Sequence, residues 1–504
     1  MRLDDDTCYR AVLARDPRFD GRFFTGVTST GIYCRPICPA RTPARQNMRY
    51  FPHAAAAEAA GFRACRRCRP ETSPGSPDWN ARADLAARAV KLITDGYVDE
   101  HGVAGLARRL AVTDRHLRRL LLAELGTTPL ALARTTRLQT ARRLLAETDM
   151  PVTEVAFASG YSSVRQFNAS FQQTYRQPPT AVRSRMRHLA SPDSAWLSLR
   201  LACREPFDGP ALLAFLAARA IPGVEQVSGH RYTRTVHTPG GPGLIELEVP
   251  AQPSGQVLLR ARLGGLRGVG QLVSRCRQLL DLDADPHAIA AALSADEVLA
   301  PLVAARPGLR VPGAYDGFEL AVRAVLGQQV SVAAARTFAG RIAARHGTPL
   351  DLAAPAGPDG PHLLFPRPDG LAGADLSGLG LTGARQATLR ALASAVASGR
   401  LCLDPGADPQ ETAARLGELP GVGPWTVSYV LMRAVADPDA FPAADLGLRR
   451  ALGRLGSGPA RAERWRPWRA YAALHLWQLP APAVPAAAAR PAAREPALAA
   501  AAGE

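Results

Sequence analysis

Lysine is almost absent from this 504-residue chain: Lys91 is the sole example, so the positive side of the charge balance is carried by arginine. The C-terminal half therefore has no lysine nucleophile to offer. Long apolar runs are also missing. No stretch approaches the roughly 20 apolar residues that cross a bilayer, and the N-terminus MRLDDDTCYR has no apolar signal segment. A soluble, cytoplasmic protein with no membrane partner is expected. Cysteine numbers eight, far too few for a disulfide scaffold at this length. Cys8, Cys203, Cys276 and Cys402 stand alone, which fits a reducing compartment.

What is present is enough apolar material, 47% of residues, to build several cores. A chain of this length exceeds one ordinary core, and three or four domains are expected. The net charge of +17 and pI near 10.3 favour a polyanionic partner, because arginines that meet phosphates release condensed counterions. Residues 1–190 hold 30 Lys+Arg against 17 Asp+Glu, so +13 of the +17 lies there. Nucleic acid is the leading candidate.

The pattern changes four times along the chain. Residues 1–76 mix short β-like runs, such as Phe23 to Val27, with paired cysteines, and end in the linker-like PETSPGSPDW. From 80 to 190 apolar residues recur at spacings of three and four, so this part is nearly all helix. Residues 195–310 open with alternating runs, WLSLRLACREPFD, LIELEV and QVLLRARL, with helical ALLAFLAARAI between them; these predict a small α+β unit on an antiparallel sheet. Helical periodicity returns over 311–480. The Ala/Pro tail 481–504 is expected to be disordered.

Cys34 and Cys38 are spaced C-x3-C, and Cys65 and Cys68 follow 26 residues later as C-x2-C. Two close pairs far apart in sequence suit one tetrahedral Zn2+ with four thiolate ligands, each turn supplying two. Because a metal-bound thiolate stays ionised at neutral pH, the spacing fits either a closed structural knot or a held nucleophile. The surrounding residues, ARDPRFDGRF, VTSTGIYCRPICPAR and AAGFRACRRCRPE, resemble the N-terminal domain of the Ada adaptive-response proteins over residues 7–72. That resemblance implies that Cys34 accepts a methyl group irreversibly from a DNA methylphosphotriester while remaining a zinc ligand, with Thr30, Arg41 and Arg63 near DNA. Pro39 replaces an arginine of that family. Methylation would remove one negative charge from a four-thiolate centre and so weaken its repulsion of phosphates.

In the middle segment, VAGLARRLAVTDRHLRRLLLAEL and VTEVAFASGYSSVRQFNASFQQTY each read as helix, tight turn and second helix, the second starting at Asp114 or at Ser162-Ser163 as cap. Second helices of such pairs enter the major groove with their first polar residues on base edges. The candidates are Arg115, His116, Arg118 and Arg119, then Ser163, Arg165, Gln166 and Asn168. Residues 85–188 resemble the AraC-type DNA-binding domain, which implies promoter DNA and RNA polymerase as partners.

LPGVGPWTVSYVL, residues 419–431, has the glycine spacing of a helix-hairpin-helix. Gly421 and Gly423 would let backbone N–H groups approach a phosphate without side-chain obstruction. Asp445 follows about twenty residues on, where taken alone it reads as a helix N-cap. FLAARAIPGVEQV, AARPGLRVPGAYDGFELAVRAVLGQQVSVAAARTFAGRIA, LPGVGPWTVSYVLMRA and ERWRPWRAYAALHLW resemble the AlkA-type 3-methyladenine DNA glycosylases over 196–479. This implies a catalytic carboxylate at Asp445, a base pocket from Trp425, Tyr429, Trp477 and Phe215, and DNA contacts at Gln328 and Gln329. Aromatic faces suit a base that carries positive charge from alkylation. Two positions depart from the family: Leu446 stands where an aromatic often follows the aspartate, and Gln329 where leucine forms the wedge. With no lysine in this half, a monofunctional glycosylase is expected. No Pro-Cys-His-Arg tetrapeptide occurs, so direct repair of alkylated guanine oxygen is not expected.

The fold class expected is multidomain: a small zinc-bound α+β domain, an all-α double helix-turn-helix domain, an α+β subdomain with a TBP-like antiparallel sheet, and an all-α helix-hairpin-helix domain. The function expected is excision of alkylated bases from double-stranded DNA, joined to a methylphosphotriester-sensing regulator. A regulator with a degenerate glycosylase half and a glycosylase with a purely structural zinc module stay open as alternatives.

Overall fold

A computed structural model describes residues 3–73, 85–183, 196–351, 360–404 and 406–479. The PGSPDW end of the linker and the tail 481–504 lie outside them. The N-terminal region builds a four-stranded sheet in the order β3-β1-β2-β4 from β1 (Phe24–Val27), β2 (Ile32–Cys34), β3 (Met48–Phe51) and β4 (Arg63–Ala64). β2 and β4 run parallel with Tyr33 opposite Ala64. This register sets Cys34, the last residue of β2, beside Cys65, the first after β4, and so brings the two cysteine pairs together.

Residues 85–183 are helical among the described residues. Helices Tyr97–Arg109 and Asp114–Leu125 form the first pair, Val152–Ala158 and Val164–Tyr175 the second. Thr113, not Asp114, caps the first recognition helix, its side chain accepting from the His116 N–H; Asp114 is already helical. Thr113 has the extended backbone that a cap needs, and its hydroxyl reaches the third helical N–H. Ser163 caps the second by accepting from Gln166. Between the pairs runs the 19-residue helix Pro129–Glu147. It also holds the zinc region: the Thr135 hydroxyl donates to Glu58 at 2.7 Å, and Arg142 pairs with Glu71 at 3.2 Å.

The next region is a five-stranded antiparallel sheet ordered β5-β9-β8-β7-β6, from β5 (Leu197–Ala202), β6 (Glu225–Ser228), β7 (Arg231–Thr238), β8 (Gly241–Glu248) and β9 (Gln256–Leu263). Helix Gly209–Arg219 crosses from β5 to β6. β6 and β7 escape the alternation rule because β7 buries a charge. Arg234 is 3% exposed and pairs with Glu225 and Glu319, which breaks the apolar/polar pattern. The remainder is helical apart from a two-stranded hairpin, β10 (Thr348–Pro349) with β11 (Leu363–Leu364). Two apolar cores interlock here: Ile221 and Val224 join residues 314–434, while residues 284–311 pack against 432–476.

A third core runs from the zinc sheet (Phe24, Tyr33, Phe51) through the second helix pair (Phe167, Phe171) to the five-stranded sheet (Leu199, Tyr232, Leu259). Polar contacts reinforce these joints. Arg204 donates to the Asp20 carbonyl at 2.6 Å, Arg22 pairs with Asp285, and Arg88 with Asp408 at 2.8 Å. No described helix is long and apolar enough to cross a membrane.

Candidate functional sites

The four cysteine sulfurs lie within 4.8 Å of one another, with Cys38 Sγ 4.0 Å from Cys65 Sγ. Sulfurs at about 2.3 Å from a tetrahedral Zn2+ are about 3.8 Å apart, so the cluster already has the size the ion requires. Hydrogen bonding to Cys38, Cys65 and Cys68, together with burial, pushes the Cys34 thiol far above its ordinary pKa. Only a cation lets four such sulfurs be anionic together. The set is a four-cysteine Zn2+ site. Cys65 and Cys68 are buried, whereas Cys34 and Cys38 are half-buried.

Arg35 fixes the loop after Cys34. Its Nε donates to Asp20 at 2.8 Å, its Nη1 to the Cys68 carbonyl at 3.1 Å and to Thr72 at 2.9 Å. Its backbone N–H points at Cys68 Sγ, 3.3 Å away. Cys34 and Cys38 open onto a cleft of about 400 Å³ whose walls include Thr30, Arg41 and Arg63, joined by Arg66 and Arg67. Thr30, Arg41, Arg63 and Pro39 are all exposed. Pro39 brings no donor to this basic rim.

On the two recognition helices the buried faces are Leu117, Leu121 and Leu125, and Phe167, Phe171 and Tyr175. Arg115, His116, Arg118 and Arg119 are exposed together on the first, and Ser163, Arg165, Gln166 and Asn168 on the second. The side chains foreseen for DNA therefore stand clear of the core.

In the C-terminal half, Asp445 is both the N-cap and the centre of a polar cluster. Its Oδ1 accepts from the Leu448 N–H at 2.9 Å and from Trp477 Nε1 at 3.0 Å, and its Oδ2 from Trp425 Nε1 at 2.9 Å. Three N–H donors hold the carboxylate in one orientation. Trp425 stacks on Tyr429, centroids 5.1 Å apart and planes at 14°; Trp477 lies 6.5 Å from Tyr429. All four residues line one cavity of about 1160 Å³, together with Phe215.

Two arginines were not foreseen. Arg219 sits over the Phe215 ring, its guanidinium carbon 3.7 Å from the centroid, and Arg433 lies 4.8 Å from it. Phe215 thus presents its face to the protein's own cations, and the Trp425–Tyr429 pair and Trp477 supply the remaining aromatic surface. Arg433 Nη1 donates to the Tyr429 hydroxyl at 2.7 Å. Burial alone would raise the Tyr429 phenol, but Arg433 and Arg219 beside it bring it below its ordinary value. Both arginines lie four residues after an aromatic of the pocket, the i,i+4 spacing that stacks side chains on one helix face; that spacing was a legible signal.

The hairpin glycines differ in their reasons. Gly421 has φ +78°, and a Cβ there would come 2.4 Å from Thr388 Oγ1, while nothing lies within 4 Å of a Cβ at Gly423. The Gln328 amide donates to the Gly421 carbonyl and to Thr426 Oγ1, both at 2.9 Å, so it braces the hairpin. Gln329 is exposed and held at φ +58°, its preceding carbonyl gripped by Arg385 at 2.6 Å. Leu446 is 64% exposed beside Asp445.

A four-cysteine zinc module, a double helix-turn-helix and a helix-hairpin-helix unit with a caged carboxylate define a regulator fused to a DNA-repair glycosylase. Comparison with known proteins agrees. The metal binding domain of Ada matches residues 7–71, a helix-turn-helix domain 106–185 and the AlkA N-terminal domain 198–316. A Mycobacterium tuberculosis protein described as a probable bifunctional transcriptional activator/DNA repair enzyme AlkA is 48% identical over 489 residues, covering 95% of this chain and 97% of its own. The Escherichia coli DNA-3-methyladenine glycosylase 2 is 34% identical over 54% of this chain and 94% of its own length. The Escherichia coli Ada protein is 35% identical over 35% of this chain and 49% of its own. Among solved structures, the Archaeoglobus fulgidus 3-methyladenine DNA glycosylase aligns at TM-score 0.48 and 19% identity, over 55% of this chain and 97% of that one. The chain belongs to the family of bifunctional transcriptional activator/DNA repair enzymes of the AlkA type.

Proposed function

We propose that this chain hydrolyses the N-glycosidic bond of alkylated bases of the 3-methyladenine and 7-methylguanine type, and that it accepts a methyl group from DNA methylphosphotriesters on Cys34. The observation that carries the first activity is the carboxylate of Asp445, fixed by two indole N–H groups where an aromatic-lined cavity begins. A base flipped into that cavity stacks on the Trp425–Tyr429 pair or on Trp477. Asp445 then stabilises the developing positive charge on the sugar and orients or deprotonates the attacking water. With no lysine after Lys91, no Schiff base forms on this half, and the product is an intact abasic site.

At the N-terminal site Cys34, Cys38, Cys65 and Cys68 would hold Zn2+, which when bound would keep the sulfurs anionic at neutral pH. Cys34 Sγ attacks the methyl carbon in line: the S–C bond forms, the C–O bond breaks, and its electron pair stays on the phosphate oxygen as a diester anion. Thr30, Arg41 and Arg63 place the backbone. Arg115, Arg118, Arg165 and Gln166 read promoter DNA, Gly421, Gly423 and Gln329 contact the damaged duplex, and RNA polymerase is the partner of the regulatory half. In this reading residues 1–76, 80–190, 195–310 and 311–480 are the acceptor, regulatory and two glycosylase domains. Intact-mass measurement after incubation with a methylphosphotriester duplex should show one added methyl, mapped to Cys34. An unmodified protein would leave the zinc module a structural anchor.

A further inference from the structure

Three arginines crowd the inner end of the base pocket, and two of them are fully engaged. Arg433 donates to the carbonyls of Pro312 at 2.7 Å and Gly313 at 3.1 Å and to the Tyr429 hydroxyl. Arg323 pairs with Glu225 and Glu319, both at 3.0 Å, and donates to the Arg219 carbonyl. Arg219 has no carboxylate partner among the described residues; its Nη1 donates to its own helix, at the Phe215 carbonyl, 3.3 Å away. It lines the cavity with Asp445 and the three aromatics. Burial, with Arg433 and Arg323 nearby, pulls its pKa down although the Tyr429 hydroxyl partners it; with no carboxylate on it, the guanidinium can still take a hydrogen-bond acceptor from a ligand.

The cavity also has a direction. Asp445 touches Trp425; Tyr429 lies one turn further along the same helix, and Arg433 one turn beyond, each turn about 5.4 Å. The Arg433 guanidinium reaches back to the Tyr429 hydroxyl and lies 4.8 Å from the Phe215 ring, so Phe215 and Arg219 stand at the Tyr429 end of the cavity, beyond Trp425 as seen from Asp445. A purine whose glycosidic bond sits at Asp445 therefore points its far edge at Arg219.

We propose that Arg219 is a specificity-determining residue that donates to a carbonyl oxygen on the far edge of the flipped base. The pocket then favours purines with a 6-carbonyl, whether neutral or alkylated, over bases that present none. A guanidinium fork matches such a carbonyl and the neighbouring ring nitrogen, and as a cation it opposes a positively charged base that offers no acceptor. This inference rests on the glycosylase reading.

The test uses the full chain and two duplexes with stable, neutral lesions, hypoxanthine with the carbonyl and 1,N6-ethenoadenine without it. Arg219→Leu should lower the hypoxanthine-to-ethenoadenine ratio of single-turnover release rates at least tenfold, and Arg219→Lys, which keeps charge but loses the fork, should fall between. An unchanged ratio, including equal losses on both lesions, overturns the proposal and leaves Arg219 a packing residue. If the unsubstituted chain releases neither of these bases nor 3-methyladenine from methylated duplex, the glycosylase reading fails; if it releases 3-methyladenine alone, that reading stands. The ratio of binding constants for the two duplexes, measured on Asp445→Asn with and without Arg219→Leu, then decides the Arg219 claim by the same tenfold criterion.

Discussion

Gly447 gives the sharpest handle on the caged carboxylate. It is the second residue of the helix Leu446–Arg454, where alanine would ordinarily stabilise by up to about 1 kcal/mol. Here a Cβ would stand 2.9 Å from Asp445 Oδ1, and 3.5 Å and 3.6 Å from Trp477 Cδ1 and Nε1. Because the first distance is shorter than real Cβ contacts, Gly447→Ala must turn the carboxylate away from its indole donors. A hydrogen bond to a charged group contributes about 1.5–3 kcal/mol, so losing one in the transition state slows base release by about 10- to 150-fold. Single-turnover release from alkylated duplex, read beside the thermal midpoint, separates site from fold. Tm should hold or rise while the rate falls. A folded variant within about threefold of the parent rate would refute the idea that indole-held orientation of Asp445 matters.

Other outcomes follow from the same structure. Cys38→Ser should abolish stoichiometric zinc, measured by metal analysis of the purified chain, and with it methyl transfer to Cys34. Glu225→Gln strips charge from a buried cluster with Arg234 and Arg323, and should cost about 3–5 kcal/mol in denaturant unfolding. Burial raises the Asp281 carboxyl from 3.8 to about 6, so the folded state holds a proton that the unfolded state releases between those values. Stability should therefore fall as pH rises from about 4 to about 6, by up to about 3 kcal/mol. Asp281→Asn should flatten that slope in a pH series of melts; an unaltered slope would assign it elsewhere. Borohydride should trap no covalent DNA adduct, since the glycosylase half lacks lysine.

Much of this was legible because spacing and function coincide. The pairs Cys34/Cys38 and Cys65/Cys68 announced a metal site, and the parallel β2–β4 register explains how pairs separated by 26 intervening residues meet. Asp445 carried two readings, cap and catalyst, and the structure satisfies the first while presenting the carboxylate to the cavity. What escaped was buried charge. Arg234 hid β7, because a strand facing carboxylates on other elements loses its alternation. Arg219 and Arg433 drew no notice in the sequence, yet each lies over the aromatic four residues before it, Phe215 and Tyr429. Pairing partners remote in sequence, such as Glu319 for Arg234 and Asp285 for Arg22, leave no local signature. Nor does sequence reveal that Gln328 spends its amide on the hairpin.

The central claim is that the caged carboxylate makes this chain a working base-excision enzyme despite Leu446 and Gln329. Free-base release from methylated duplex DNA tests it most directly, with the unsubstituted chain compared against Asp445→Asn at equal zinc content and Tm. The account predicts release of 3-methyladenine and 7-methylguanine by the former, and a loss of at least a hundredfold in the latter. No release by the unsubstituted chain, or equal release by both, would contradict it.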